Sequence, residues 1–253
     1  MSGLAVDGER WIRRYHPAPE DGPARPRLVC FPHAGGSASY FHTLSGLLHP
    51  HVEVLAVQYP GRQDRMAEPV PEDLTETAGH IAAALAPWTG GRLGFFGHSM
   101  GAVLAFEVSQ RVTPEVLFAS GGRAPSTRRD EPAYRLDDAG LVAEAELLGG
   151  TDATLLADPD LRELILPPLR ADYRALAAHR SDPDAVIDAP IEVLVGDRDP
   201  RVTETEAAAW SVHTSRGSTL RVFPDGNHFY LADRWAELAE LIGAWGARDT
   251  ADR

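Results

Sequence analysis

The sequence predicts an α/β fold built on a mostly parallel, doubly wound sheet with a helical insertion late in the chain. Three observations carry that prediction. Short apolar runs recur along the chain, near 27–31 (RLVCF), 52–58 (VEVLAVQ), 92–96 (RLGFF), 115–120 (EVLFAS), 191–195 (IEVLV) and 219–223 (TLRVF). Runs that are apolar on nearly every residue suit strands buried on both faces of a parallel sheet. Segments of helical period lie between them, and 253 residues suit one large α/β domain, 1–253, better than two.

Taken in order, the first helix is expected at 73–86, where Leu74, Ala78, Ile81 and Leu85 share one face. Others are expected at 100–112 and 203–213, and a last one at 231–245 carries Leu231, Trp235, Leu238, Leu241, Ile242 and Trp245. The ends, 1–10 and 247–253, read as frayed. About 70 residues separate the fourth and fifth apolar runs, far more than a crossover requires. That gap holds helical patterns at 137–148 and 159–179, the second interrupted at Pro167-Pro168. It reads as a helical lid inserted at about 130–185, with an elaborated crossover as the plainer alternative.

Composition removes several classes of function. The net charge is −13, which gives a nucleic-acid role little electrostatic support. All 24 cationic residues are arginine. Without lysine there is no P-loop lysine for phosphates, no Schiff-base chemistry and no Ser–Lys dyad. No apolar run approaches the roughly 18 residues that a membrane span needs, and the N-terminus lacks a secretory signal, so a cytoplasmic protein is expected. The single cysteine, Cys30, lies in an apolar run and reads as a small buried hydrophobe.

The strongest chemical signal is Gly97-His98-Ser99-Met100-Gly101, a G-x-S-x-G pattern after an apolar run and before a helix. A serine on such a turn stands clear of the sheet at a helix N-terminus, and glycines two positions away let the neighbouring elements pass closely. Its hydroxyl needs a base to take its proton. Of ten histidines, His228 lies in the loop after the last expected strand, whereas His98 reads as local packing. His179, His213, His49 and His51 read as solvated. The orienting acid is expected after the strand at 191–195, where Asp199 is favoured and Asp197 stays open. The order Ser, Asp, His fits the α/β-hydrolase fold. Acyl transfer also needs oxyanion donors. The backbone N–H of Met100 follows the nucleophile, and that of Ala34 sits in the glycine-rich loop Phe31-Pro32-His33-Ala34-Gly35-Gly36.

The runs LVCFPHAGGSASYF, VLAVQYPGRQDR, FFGHSMGAVLAFE, VLVGDRDPRV and LRVFPDGNHFYL resemble the type II thioesterases, stand-alone editing hydrolases of polyketide synthase and nonribosomal peptide synthetase pathways. The resemblance covers roughly residues 27 to 245. It implies Ser99, Asp199 and His228 as triad, and Ala34 and Met100 as oxyanion donors. The implied reaction is hydrolysis of acyl or aminoacyl thioesters on the phosphopantetheine arm of an acyl or peptidyl carrier protein, with no metal or organic cofactor. One departure is visible, PDGNHF where PGGHF is commoner, an apparent one-residue insertion beside the expected base.

Carrier proteins of this kind are acidic, so a local basic surface is expected on this acidic chain. Arg123, Arg128 and Arg129 are candidates for carrier or phosphate contacts, with solvated loop arginines as the alternative; Arg62 and Arg65 read as structural ion-pair residues. Rival readings are a small-molecule carboxylesterase or lipase with the same triad, a terminal thioesterase of a synthase, and a catalytically inactive hydrolase fold used for binding. The insertion and the PHAGG and PGRQDR runs weigh against the first, and the motif match and the lack of a linker-like N-terminus against the second. The complete set of Ser, Asp and His weighs against the third.

Overall fold

The computed structural model describes residues 8–17, 24–127, 129, 132–149 and 158–248. Its sheet has seven strands: β1 (Ile12–Arg13), β2 (Arg27–Phe31), β3 (Glu53–Val57), β4 (Leu93–His98), β5 (Val116–Ser120), β6 (Ile191–Gly196) and β7 (Ser218–Phe223). They lie in the order β1-β3-β2-β4-β5-β6-β7, parallel except for β1, which runs antiparallel to β3. The six expected strands are present within a residue or two at each end; β1 is an addition. Two residues offer no periodicity to read, and β1 is fixed by pairing Ile12 with Val57 and Arg13 with Ala56. Gly8–Arg10, read as frayed, instead form helix α1 with Trp11 (Gly8–Trp11), whose ring is covered by the Arg65 guanidinium at 4.5 Å.

Alternate residues of each central strand feed opposite layers, and both layers are dry. Val29 and Phe31 of β2 join Leu55, Phe95, Leu104, Phe106 and Trp210 on one face, while Leu28 and Cys30 join Phe96, Phe118, Leu238 and Ile242 on the other. Helices α3 (Leu74–Ala84) and α4 (Met100–Ser109) cover the first face, and α2 (His42–Leu48) packs with α8 (Trp235–Gly246) over the second. Asp73 caps α3 by accepting from the Thr75 and Glu76 amides, which sets its start at the expected place. The helix expected at 203–213 is α7 (Glu204–Ala208), opened by a Thr203–Glu206 capping box and continued by a 3₁₀ turn, Ala209–His213.

Between β5 and β6 lie a 3₁₀ turn (Pro132–Arg135), α5 (Asp138–Leu148) and α6 (Pro159–Ala178). The expected break at Pro167-Pro168 does not occur; α6 runs through both prolines. Proline in a helix removes a donor to the carbonyl four residues back. Here those carbonyls belong to Glu163 and Leu164, both exposed, so water can satisfy them. Buried Leu166 and Leu169 meanwhile anchor the helix on either side of the pair. Arg170 ties α6 to the turn before α5, donating to the carbonyls of Tyr134 and Leu136 and to Asp138.

The strand order places one topological switch in the sheet. After β2 the chain leaves towards β3, and after β4 it leaves the opposite way towards β5. The carboxyl ends of β2 and β4, where Phe31 pairs with Gly97, therefore open a crevice, the usual place for a site in such sheets. No helix of the described residues is long and apolar enough to cross a membrane.

Candidate active site

Ser99 sits between β4 and α4 with φ 56° and ψ −118°, a left-handed backbone that a non-glycine residue adopts only under constraint. The constraint is local packing. A Cβ on Gly101 would run into the Phe31 carbonyl, and one on Gly97 into the Gly101 carbonyl, so both must be glycine for β2, β4 and α4 to meet. The Ser99 amide donates to the Ser120 carbonyl at 2.8 Å, fixing the turn on β5.

Three of the residues singled out in the sequence come together here. Ser99 Oγ lies 3.0 Å from His228 Nε2, and His228 Nδ1 lies 2.8 Å from Asp199 Oδ2. Asp199 Oδ1 accepts the Arg201 and Val202 amides at 2.7 and 3.2 Å, and its side chain is fully buried. Asp197, the competing acid, is exposed. The acid turn and the histidine turn touch through glycine: a Cβ on Gly196 would meet the Gly226 carbonyl, and that carbonyl accepts the Arg198 amide at 2.9 Å. The extra residue of PDGNHF is absorbed by Asp225, which turns out at φ 57° to pair with Arg198 on the surface. His228 keeps its place.

Two more imidazoles crowd the base. His98 is fully buried, its Nδ1 2.9 Å from Ser120 Oγ, which is in turn 2.7 Å from the Tyr230 hydroxyl. Burial, then the neighbouring His228 and His33, hold His98 well below the ordinary imidazole range. His33 is pushed down to about 3 by burial, His228 and Arg62. Both therefore stay neutral beside His228. His98 is packing, as its sequence position suggests. His179 and His213, expected in solvent, are instead enclosed. His213 lies 2.8 Å from the Ala185 carbonyl and 2.9 Å from Ser126 Oγ, and His179 lies 3.0 Å from Glu107. Each terminates a helical segment and meets partners distant in sequence, which its immediate neighbours do not reveal.

Ser99, His228 and Ala34 open on one cavity of about 170 Å³, also lined by Val103, Tyr173, Leu176 and Trp210. Met100 is the first residue of α4, so its N–H has no intrahelical acceptor. The loop carrying Ala34 is held on several sides. Tyr59 donates to the Pro32 carbonyl (3.1 Å), the Ala38 amide donates to Gln58 (3.0 Å), and Asp172 accepts the Gly35 amide (2.7 Å). Asp172 was not singled out by sequence, yet it falls on the apolar stripe of α6 with Leu166, Leu169 and Leu176, where a carboxylate demands a partner. Arg62 is that partner, and Arg65 pairs with Glu68, as the ion-pair reading expects.

Arg123 and Arg129 line the mouth of the cavity, but Glu206 stands behind both, accepting two bonds from Arg129 (2.9 and 2.7 Å) and lying 3.8 Å from Arg123. Arg128 lies outside the described residues. Among the described residues no cluster of three or more His, Cys, Asp or Glu is arranged to hold a metal ion.

Comparison with known proteins identifies the family. A family model described as thioesterase domain matches residues 26–245. Thioesterase PikA5 of Streptomyces venezuelae is 51% identical over 246 residues, covering 94% of this chain and 86% of that protein. The type II thioesterase BorB from the borrelidin biosynthetic cluster superposes with a TM-score of 0.86 at 43% identity, over 94% of this chain and 98% of that one. The thioesterase RedJ from the prodiginine pathway of Streptomyces coelicolor gives 0.79 at 34% identity, over 89% and 96%.

Proposed function

The chain belongs to the thioesterase domain family, and from that premise we propose that it removes acyl or aminoacyl groups from the phosphopantetheine arm of carrier proteins, with Ser99 as nucleophile. The observation that carries the reading is the Ser99–His228–Asp199 chain of hydrogen bonds, opening on a cavity. Ser99 Oγ attacks the thioester carbonyl as His228 Nε2 accepts its proton. The Met100 and Ala34 amides receive the oxyanion, each worth roughly 3–4 kcal/mol in the transition state. The tetrahedral intermediate collapses, the C–S bond breaks, and His228 returns the proton to the pantetheine thiolate. Water deprotonated by His228 then attacks the acyl-enzyme, and the acid and free Ser99 are released. Asp199 holds His228 in the Nδ1–H tautomer and stabilises its imidazolium.

The role we infer is editing, the clearing of misprimed carriers; the likeness to the type II thioesterase BorB and to the thioesterase RedJ of the prodiginine pathway supports it. We place the enzyme in the cytoplasm beside such synthases. In this reading α5 and α6 form a lid on a single domain, because Leu148, Tyr173 and Leu176 from them wall the cavity. The test is steady-state hydrolysis of matched acyl groups on a carrier protein, on a short pantetheine thiol and as an oxygen ester, with Ser99→Ala as control. Thioesters turned over fastest, most of all on the carrier, and silent in the variant support the reading. Preference for the oxygen ester moves the assignment to a carboxylesterase.

A further inference from the structure

Val103 and Glu107 share one face of α4, and Ser99 immediately precedes the helix four residues before Val103. Ser99 and Val103 line the cavity, and Glu107 reaches it through His179 and Ser181, which line it too. At 1.5 Å per residue, the wall from Ser99 to Glu107 runs about 12 Å from the nucleophile. Its middle is apolar, closed by Val103, Leu176 and Trp210.

The far end differs in kind. Glu107 Oε1 accepts from His179 Nε2 and from Ser181 Oγ, each at 3.0 Å, and the glutamate and histidine side chains are 8% and 6% exposed. Glu107 Oε2 faces Arg111 at 3.8 Å and Gln110 at 3.4 Å. Burial pushes the Glu107 carboxyl up, but the His179 and Ser181 hydrogen bonds and the Arg111 charge outweigh it and hold the group below its ordinary value. A charged carboxylate thus anchors a histidine and a serine in the cavity wall, beyond the apolar side chains of Val103, Leu176 and Trp210. Neither the triad nor the oxyanion loop uses them.

A methyl group driven against that end would strip water from the Ser181 hydroxyl and the His179 ring and return no hydrogen bond. A hydroxyl in the same place can donate to the Ser181 oxygen, whose own proton goes to Glu107. Sites built to hydrogen-bond a substrate oxygen reject the analogue that lacks it far better than apolar pockets sort by size.

We propose that the end of this cavity selects acyl groups carrying a hydroxyl about 12 Å from the thioester carbonyl, received by Ser181 and His179. Glu107 is the positioning residue that holds both. This rests on the cavity being the acyl site of the proposed reaction. The experiment uses pantetheine thioesters in isosteric pairs of rising length, each pair matching a terminal hydroxyl with a terminal methyl: ω-hydroxyhexanoyl with heptanoyl, ω-hydroxyoctanoyl with nonanoyl, ω-hydroxydecanoyl with undecanoyl. The kcat/KM ratio of hydroxyl to methyl should lie below one for chains that end in the apolar stretch. It should rise about ten-fold, equivalent to about 1.4 kcal/mol, at the length that reaches the polar end. Ser181→Ala, and a double Glu107→Leu/His179→Leu variant that replaces the pair with apolar volume, should erase the rise, and Ser181→Thr should keep it. A ratio flat with length in the wild-type enzyme, or an unchanged peak in Ser181→Ala, overturns the inference. Failure of the underlying reading looks different: no thioester of the series is hydrolysed, or hydrolysis survives Ser99→Ala.

Discussion

Asp172 grips Arg62 with both oxygens, Oδ2 to Nη1 at 2.6 Å and Oδ1 to Nη2 at 3.0 Å, and spends the first of them also on the Gly35 amide. Both side chains are 5% exposed. One carboxylate of α6 therefore fixes the loop beside Ala34 and neutralises a guanidinium that also donates to the Gly36 carbonyl. Removing one partner of a buried pair leaves the other charge uncompensated, at about 3–5 kcal/mol. Asp172→Ala should lose that much stability in urea denaturation and lower kcat with it. Asp172→Asn, which keeps the shape and loses the charge, should fall between. A loss under about 1 kcal/mol for the alanine variant, the level of an exposed pair, would show that the clamp is not holding the loop.

The nucleophile turn has no room for a methyl group. Gly101→Ala would set a Cβ against the Phe31 carbonyl, a rigid backbone atom on the central strand. We expect little folded protein from this variant, and in any that folds, activity reduced far more than binding of the pantetheine product. Gly79→Ala is the matched control, since nothing lies within 4 Å of a Cβ there. Equal yield and turnover for the two variants would contradict the packing account of the Ser99 backbone.

The acid limb of stability should carry the signature of His33. Its folded value is about 3 against an ordinary 6.5, so the folded state excludes a proton that the unfolded chain binds. The stability linked to its neutrality is complete above 6.5 and is lost as pH falls towards 3. The slope is at most about 1.4 kcal/mol per pH unit. His98, lowered in the same direction, adds to it. Unfolding free energies measured across that window should decline less steeply in His33→Phe. Parallel slopes in the two proteins would remove His33 from the account.

Carrier recognition makes a separate prediction. If Arg128 and Arg129 meet an acidic partner, reversing both to glutamate should raise KM several-fold more for acyl-carrier substrates than for small acyl thioesters. Glu206 already engages Arg129, so reversal also places two carboxylates together. The small-thioester control separates that local damage from lost docking, and equal effects on both substrates would refute the contact.

Much of this molecule is legible in its sequence because strands β2 to β6 are buried on both faces, and such strands read as unbroken apolar runs, whereas the edge strand β7 is mostly exposed. Ser99 is legible for a related reason: the glycines at 97 and 101 are steric requirements, so the pattern itself encodes the turn. His228 and Asp199 follow from position after a strand. Which of Asp199 and Asp197 reaches His228 depends on the side of the 196–199 turn that faces the histidine loop, and there Asp199 meets it. Other features depend on partners far away in sequence. The two-residue β1 exists through β3, and Asp172 is explained by an arginine 110 positions earlier. His179, enclosed by Glu107 and Ser181, carries no local mark distinguishing it from a solvated histidine. The prolines of α6 mislead for the same reason, since burial of Leu166 and Leu169 overrides a local preference for a break.

The central claim is that the acyl group passes through Ser99, and it is tested most directly by rapid-quench intact-mass analysis of the enzyme mixed with an acyl-carrier substrate. The account predicts a transient adduct of one acyl mass, mapped by peptide digestion to Ser99, absent in Ser99→Ala and formed far more slowly in His228→Ala. Turnover with no such adduct, or continued turnover in Ser99→Ala, would contradict it.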